Sequence, residues 1–256
     1  MKIDPDSSAA LSAQIAEAIR DAILSGEMDV DARLPSEAEL SEQFDVSRPT
    51  IREALKRLAA QSLIRTQRGA FGGAFVRRLS YGEAQEQLIT TSTLLLSMND
   101  VSFDTACEAR FALERSCADH AVNRRSGAHL ESMAREVAVQ ETAGLSDEDF
   151  CASDVAFHTA IVSAAGNPVL IYQVASAIQA MQPLMNMITF TARSRAEIVL
   201  YHKGILDALS AKDTAGLVAG LMELETYTKR LAHSVFEEKR SARATRASHA
   251  PAPLKS

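Results

Sequence analysis

Three features of the sequence predict a mainly α chain. The expected architecture is an N-terminal winged helix-turn-helix with a small β wing, followed by a C-terminal all-α bundle of six to seven helices. Apolar residues recur at helical spacing through most of the 256 residues. Strand-like stretches of useful length occur only at 63–67 and 74–78, around the glycine-rich segment 68–73. A short, strongly basic helix precedes that hairpin.

Residues 11–24 place Leu11, Ile15, Ile19 and Ile23 on one helical face, and Gly26 just beyond can supply a left-handed cap. Ser36 and Glu39 form a capping box, each side chain serving the other residue's orphan N–H, and open a short helix to about Phe44. Asp45-Val46 is the turn. Ser47 caps the next helix, and Pro49 fits its first turn, where a missing N–H costs nothing. Ile51, Leu55 and Leu58 form the apolar back of that helix, and Arg48, Arg52, Lys56 and Arg57 lie largely off it. An apolar back and a basic front suit a helix that enters the major groove of DNA. The hairpin carries Arg68 near its tip, which suits a phosphate wall or the minor groove.

Charge supports this locally. The whole chain has a formal net charge of -6. Residues 47–78 nevertheless hold eight Lys/Arg against the single acid Glu53, whereas residues 1–46 hold three against eleven acids. Phosphate contact needs only one such basic face.

Residues 11–78 resemble the winged helix-turn-helix of the GntR family of bacterial transcription regulators. The resemblance is carried by Arg33-Leu34-Pro35-Ser36-Glu37, by Val46-Ser47-Arg48-Pro49-Thr50-Ile51-Arg52-Glu53-Ala54-Leu55, and by Arg68-Gly69. It implies that Arg48 and Arg52 read guanine edges, as arginine commonly does. It implies phosphate contacts from Ser47 and Thr50, a wing tip at Arg68 and Gly69, and places for Arg33 and Ser36 in the same DNA-binding set. Two positions depart from the family pattern: Ala38 stands where Arg is usual, and Ser62 where Gly is usual.

The chain divides into a DNA-binding domain (1–78), a linker (79–82), a helical domain (83–237) and a tail (238–256) expected to be disordered. Helices are expected at 83–98, 102–125, 127–142, 146–165, 168–189, 193–210 and 212–237. No apolar run approaches the 18 or more residues that cross a membrane. The acidic N-terminus lacks an apolar signal core, so a cytoplasmic location is expected. Cys107, Cys117 and Cys151 form no C-x-x-C pair and suit a reducing compartment as core residues.

In the helical domain, Asp154 and His158 at i and i+4 share a face and can chelate one cation, although such pairs also arise as plain hydrogen bonds. His202 lies on the buried side of its helix, three residues before Ile205 and seven before Leu209. A core histidine satisfied by hydrogen bonds is the alternative there. Met181, Met185 and Met187 read as core or dimer packing.

Residues 102–232 are similar to the FCD ligand-binding domain of the FadR subfamily of GntR regulators. The matching pieces are Glu108-Ala109-Arg110-Phe111-Ala112-Leu113-Glu114, Asp154-x-x-Phe157-His158, Gly166-Asn167-Pro168-Val169-Leu170 and His202-x-x-Ile205-Leu206-Asp207-Ala208-Leu209. The resemblance implies a divalent metal, zinc or nickel, held by one Asp and three His. Asp154, His158 and His202 match three of these ligands. The fourth falls at Leu224, so it is absent, or Glu225 supplies it if the register shifts by one. The resemblance also places Arg110 against an effector carboxylate, which its planar guanidinium matches bidentately. A salt bridge to Glu114, one turn on, is the alternative. Asn167 is assigned to the effector site too, with Gln173 and Arg195 as further candidates.

These readings describe a homodimeric, ligand-responsive regulator, a repressor in type, that binds a near-palindromic double-stranded DNA operator. A small organic acid is its expected effector. A metal sensor, or an acyl-CoA binder without metal, are the alternatives. An enzyme is not expected: no His is followed by Asp, and no G-x-x-x-x-G-K-[ST] loop is present.

Overall fold

The computed structural model describes residues 10–69, 72–98, 101–189 and 195–248. The chain packs as two units, Met1–Ser80 and Tyr81–Ser256.

The first unit contains α1 (Leu11–Leu24), α2 (Glu37–Phe44), α3 (Arg48–Ala60), β1 (Ile64–Gln67) and β2 (Gly73–Val76). The capping box at α2 is made: Ser36 N–H donates to Glu39 Oε2 at 2.7 Å, and Glu39 N–H donates to Ser36 Oγ at 3.2 Å. Asp45 ends α2 in the left-handed region at φ 53, which turns the chain into α3. Ile15, Ile19, Leu40, Phe44, Ile51, Leu58, Ile64 and Val76 interlock in one buried core. Each such burial contributes about 1.5–3 kcal/mol. The two strands are antiparallel, with Ile64 opposite Val76 and Gln67 opposite Gly73. A Cβ on Gly72 would stand 2.3 Å from the Gln67 carbonyl oxygen, so the hairpin requires glycine there. Ala70 and Phe71 of the expected wing lie outside the described residues.

The second unit contains α4 (Tyr81–Met98), α5 (Phe103–Ser116), α6 (Ala118–Arg124), α7 (Gly127–Gln140), α8 (Asp147–Ala164), α9 (Pro168–Ala180), α10 (Gln182–Thr189), α11 (Arg195–Ser210) and α12 (Thr214–Ser248). The helices expected at 102–125 and 168–189 are each interrupted at one residue, Cys117 and Met181. About seven rods therefore appear as nine segments among the described residues. Pro183 explains the second break, because it offers no N–H to the carbonyl of Gln179. At the first, Ser116 Oγ donates to Leu113 O at 2.6 Å and Cys117 N–H to Glu114 O at 3.0 Å, which tightens and bends the turn. Helix α12 continues to Ser248, beyond the expected end at 237. Residues 238–248 are rich in Ala and Arg and contain neither Gly nor Pro, so nothing local stops the helix. The remaining residues of the expected tail lie outside the described set.

Helix α8 is the central element. Ten of its 18 residues are buried, and it packs against α6, α7, α9 and α10. A helix buried around most of its girth can present polar side chains to the interior only where something there satisfies them.

Candidate metal centre and nucleic-acid interface

Asp154 and His158 stand one turn apart on α8 and face His202 of α11. One ligand atom from each lies within 4.8 Å of the others, and all three residues are buried. Phe157 packs beside them, stacked on the His202 ring at a centroid distance of 4.1 Å. His158 and His202 meet edge to face at 5.2 Å.

Hydrogen bonds outside this group orient both imidazoles. His202 Nδ1 lies 2.7 Å from Gln140 Oε1 at the end of α7. Gln140 Nε2 donates to Ser153 Oγ at 3.2 Å, and Ser153 Oγ donates to the Glu136 carbonyl at 3.1 Å. The proton inventory is therefore fixed. Ser153 spends its hydrogen on Glu136, Gln140 spends its NH2 on Ser153, and the Gln140 oxygen must accept from His202 Nδ1–H. A neutral His202 then carries its lone pair on Nε2, which lies 3.5 Å from Asp154 Oδ1. On the other ring, Nδ1 is bonded to Glu114 Oε1 of α5, and Nε2 has no hydrogen-bond partner. Both rings thus have Nδ1 turned outward to an oxygen and Nε2 turned inward, the arrangement in which outer partners orient metal-ligating histidines. Two imidazole nitrogens and one carboxylate oxygen suit zinc or nickel, and three protein ligands leave a coordination position open.

Arg110 enters this region from α5. It is 3 % exposed, its guanidinium lies 4.6 Å from the Phe111 ring centroid, and its Nε and Nη2 have no hydrogen-bond partner. Its Nε is 3.7 Å from Glu114 Oε2, an ion pair without a hydrogen bond. Both readings of Arg110 are therefore partly present: it neighbours Glu114, yet it keeps two donors that the fold does not use.

The remaining candidates have the following surroundings. Glu225 turns away from the group: its carboxylate pairs with Arg115 and, at 2.6 Å, with Lys229. Burial opposes its ionisation, but the hydrogen bonds from Lys229 and Arg115 outweigh this and hold its carboxyl below the usual range. Leu224 is an ordinary core side chain, 1 % exposed. Asn167 is the N-cap of α9, its Oδ1 accepting from Val169 N–H and Leu170 N–H. Gln173 is exposed. Arg195 pairs with Asp147 and donates to Leu145 O at the start of α8. Met181 and Met185 join the core, and the Met187 side chain lies outside the described set. Glu114 and Gln140, which orient the histidines, were not singled out as orienting groups. They stand 44 and 62 residues from the rings they hold.

On the first unit, Ile51, Leu55 and Leu58 seat α3 in the core, while Arg48, Arg52, Lys56 and Arg57 are exposed. Ser47 caps α3, and its hydroxyl lies 2.8 Å from that of Thr50. Arg52 makes a two-point ion pair with Glu37, at 2.9 and 3.3 Å. Its hydrogen bond holds the Glu37 carboxyl below the usual range. Arg68 and Gly69 are exposed at the hairpin, with Gly69 at φ 108. Arg33 is turned inward to the wing, where it donates to Gly72 O at 2.7 Å. The Ser36 hydroxyl serves the α2 cap. These two members of the expected DNA-binding set thus have internal partners.

Comparison with known families is decisive for the class. Residues 11–76 match "Bacterial regulatory proteins, gntR family", and residues 105–226 match the FCD domain. The chain belongs to the GntR family. More precisely, it is a GntR regulator with an FCD C-terminal domain, in the FadR-type subfamily, and the family consists of transcriptional regulators rather than enzymes. One similar protein, from Escherichia coli K12 and provisionally named the L-lactate dehydrogenase operon regulatory protein, is 29 % identical over 249 residues, 92 % of each chain. The galactonate operon transcriptional repressor of the same organism is 27 % identical, covering 82 % of this chain and 91 % of that one. A solved GntR structure from Streptococcus agalactiae shares the fold, with a TM-score of 0.50 at 21 % identity, covering 86 % of this chain and all of that one. Within this GntR regulator, Ser62 sits at φ 60, a conformation that favours the glycine usual at this position. Among the described residues, no helix is long and apolar enough to cross a membrane.

Proposed function

We infer that this GntR/FCD regulator is a cytoplasmic homodimeric repressor that binds a near-palindromic operator and is released by a small hydroxy acid held jointly by a divalent ion and Arg110. The observation that carries this reading is the buried convergence of Asp154, His158 and His202 beside an arginine with two unused donors. When bound, the ion supplies an electron-pair acceptor for the carboxylate and hydroxyl of such an acid. With three protein ligands in place of four, the ion would keep coordination positions for exogenous oxygens.

Charge balance narrows the acid. With neutral imidazoles, the buried set holds one guanidinium against the carboxylates of Glu114 and Asp154, net -1. A divalent ion takes this to +1, and a monoanion to zero. Uncompensated buried charge is costly, so a monocarboxylate suits the site better than a dicarboxylate. Lactate and galactonate, named in the operons of two relatives, are both hydroxy monocarboxylates. For DNA, Arg48 and Arg52 are the base-reading side chains, Ser47 and Thr50 hold phosphates, and Arg68 and Gly69 form the wing contact.

The test is fluorescence anisotropy with labelled DNA from upstream of the protein's own gene, using zinc-loaded protein. Addition of L-lactate or galactonate should weaken binding about tenfold. DNA affinity indifferent to either acid would sink the reading. A change with zinc alone would instead make the ion itself the effector.

A further inference from the structure

Among the described residues, Glu114 is a fully buried carboxylate that touches both His158 and Arg110. Its Oε1 holds His158 Nδ1, and its Oε2 faces Arg110 Nε at 3.7 Å without bonding to it. It is 0 % exposed. Arg110 keeps Nε and Nη2 unpartnered. One carboxylate is thus shared between a histidine whose inward nitrogen is open and a guanidinium whose donors are unmet.

We propose that Glu114 is a positioning residue that makes ion binding and carboxylate binding interdependent, by serving as an exchangeable counter-ion for Arg110. This rests on the preceding reading of the site. Glu114 opposes an incoming carboxylate at Arg110, because it already supplies negative charge there. It favours a cation at His158 Nε2, because it anchors Nδ1–H and raises the basicity of the other nitrogen. When a cation loads His158, Nδ1–H becomes more acidic and draws the Glu114 charge toward the ring. Arg110 is then left short of a partner, and an external carboxylate takes that place. Each ligand raises the affinity of the other, as linkage requires.

The same geometry predicts shifts of opposite sign when the charge is removed. Glu114→Gln keeps the shape but loses the anion. Zinc affinity, measured by competition with a chromophoric chelator, should fall about 10–100-fold. L-Lactate affinity of the metal-free protein, measured by calorimetry, should rise about threefold or more, because the competing charge beside Arg110 is gone. A merely structural role would weaken both ligands together. Glu114→Asp separates charge from reach and covers the case in which Glu114→Gln fails to fold: zinc should weaken, while metal-free lactate binding stays near wild type. Parallel losses in both measurements, or no change in either, would overturn the proposal while leaving the site's function intact. Wild-type protein that binds neither zinc nor lactate would overturn the functional reading and this inference with it.

Discussion

At Ser62 a hydroxymethyl side chain occupies the left-handed region, at φ 60, between α3 and β1. That region costs a non-glycine residue about 1–2 kcal/mol. Ser62→Gly should therefore raise unfolding stability by about 0.5–1 kcal/mol in urea denaturation, after the entropy of the added glycine is deducted. A loss of stability would show that the Ser62 side chain has a compensating role. Cys107 makes a second residue-scale prediction. Burial pushes its thiol up to about 11, so it is a thiol, not a thiolate, throughout the neutral range. Folded protein should react slowly with maleimide at that position and rapidly once denatured, as peptide mapping would show. Fast labelling of the folded state would contradict the packed core around α5.

Among the elements, helix boundaries were legible wherever a local cap set them. Ser36 and Glu39 open α2, Ser47 opens α3, and Asn167 opens α9, each within a few residues of chain. Asn167 carries two readings at once. It is a candidate for the effector cavity, and its oxygen bonds two amides of its own helix. Asn167→Ala should lower stability by about 1 kcal/mol while leaving carboxylate affinity unchanged; a selective loss of carboxylate binding would show the effector role instead. The interruptions at Cys117 and Met181 were less legible, because apolar periodicity continues through a kink. Least legible were the groups that orient the two histidines. Asp154 and His158 share one turn, which spacing alone reveals. Glu114 and Gln140 reach their rings from distant helices, and only packing brings them there. Glu225 was drawn the other way by the same kind of long-range pairing, toward Arg115 on α5.

Across the whole molecule, a net charge of -6 coexists with DNA binding because the basic residues are concentrated at 47–78. Binding should therefore weaken steeply with salt, log K falling linearly with log salt concentration; a flat response would argue against phosphate contact by this face. In the helical unit, the proposed function rests on Asp154, His158 and His202 holding a divalent ion. Metal content is the most direct test, by mass spectrometry on full-length wild type and on His158→Ala after incubation with zinc and gel filtration. About one ion per chain is expected in wild type and little or none in the variant. No ion in wild type would contradict the metal centre and leave Arg110 as the sole anchor for an anionic effector.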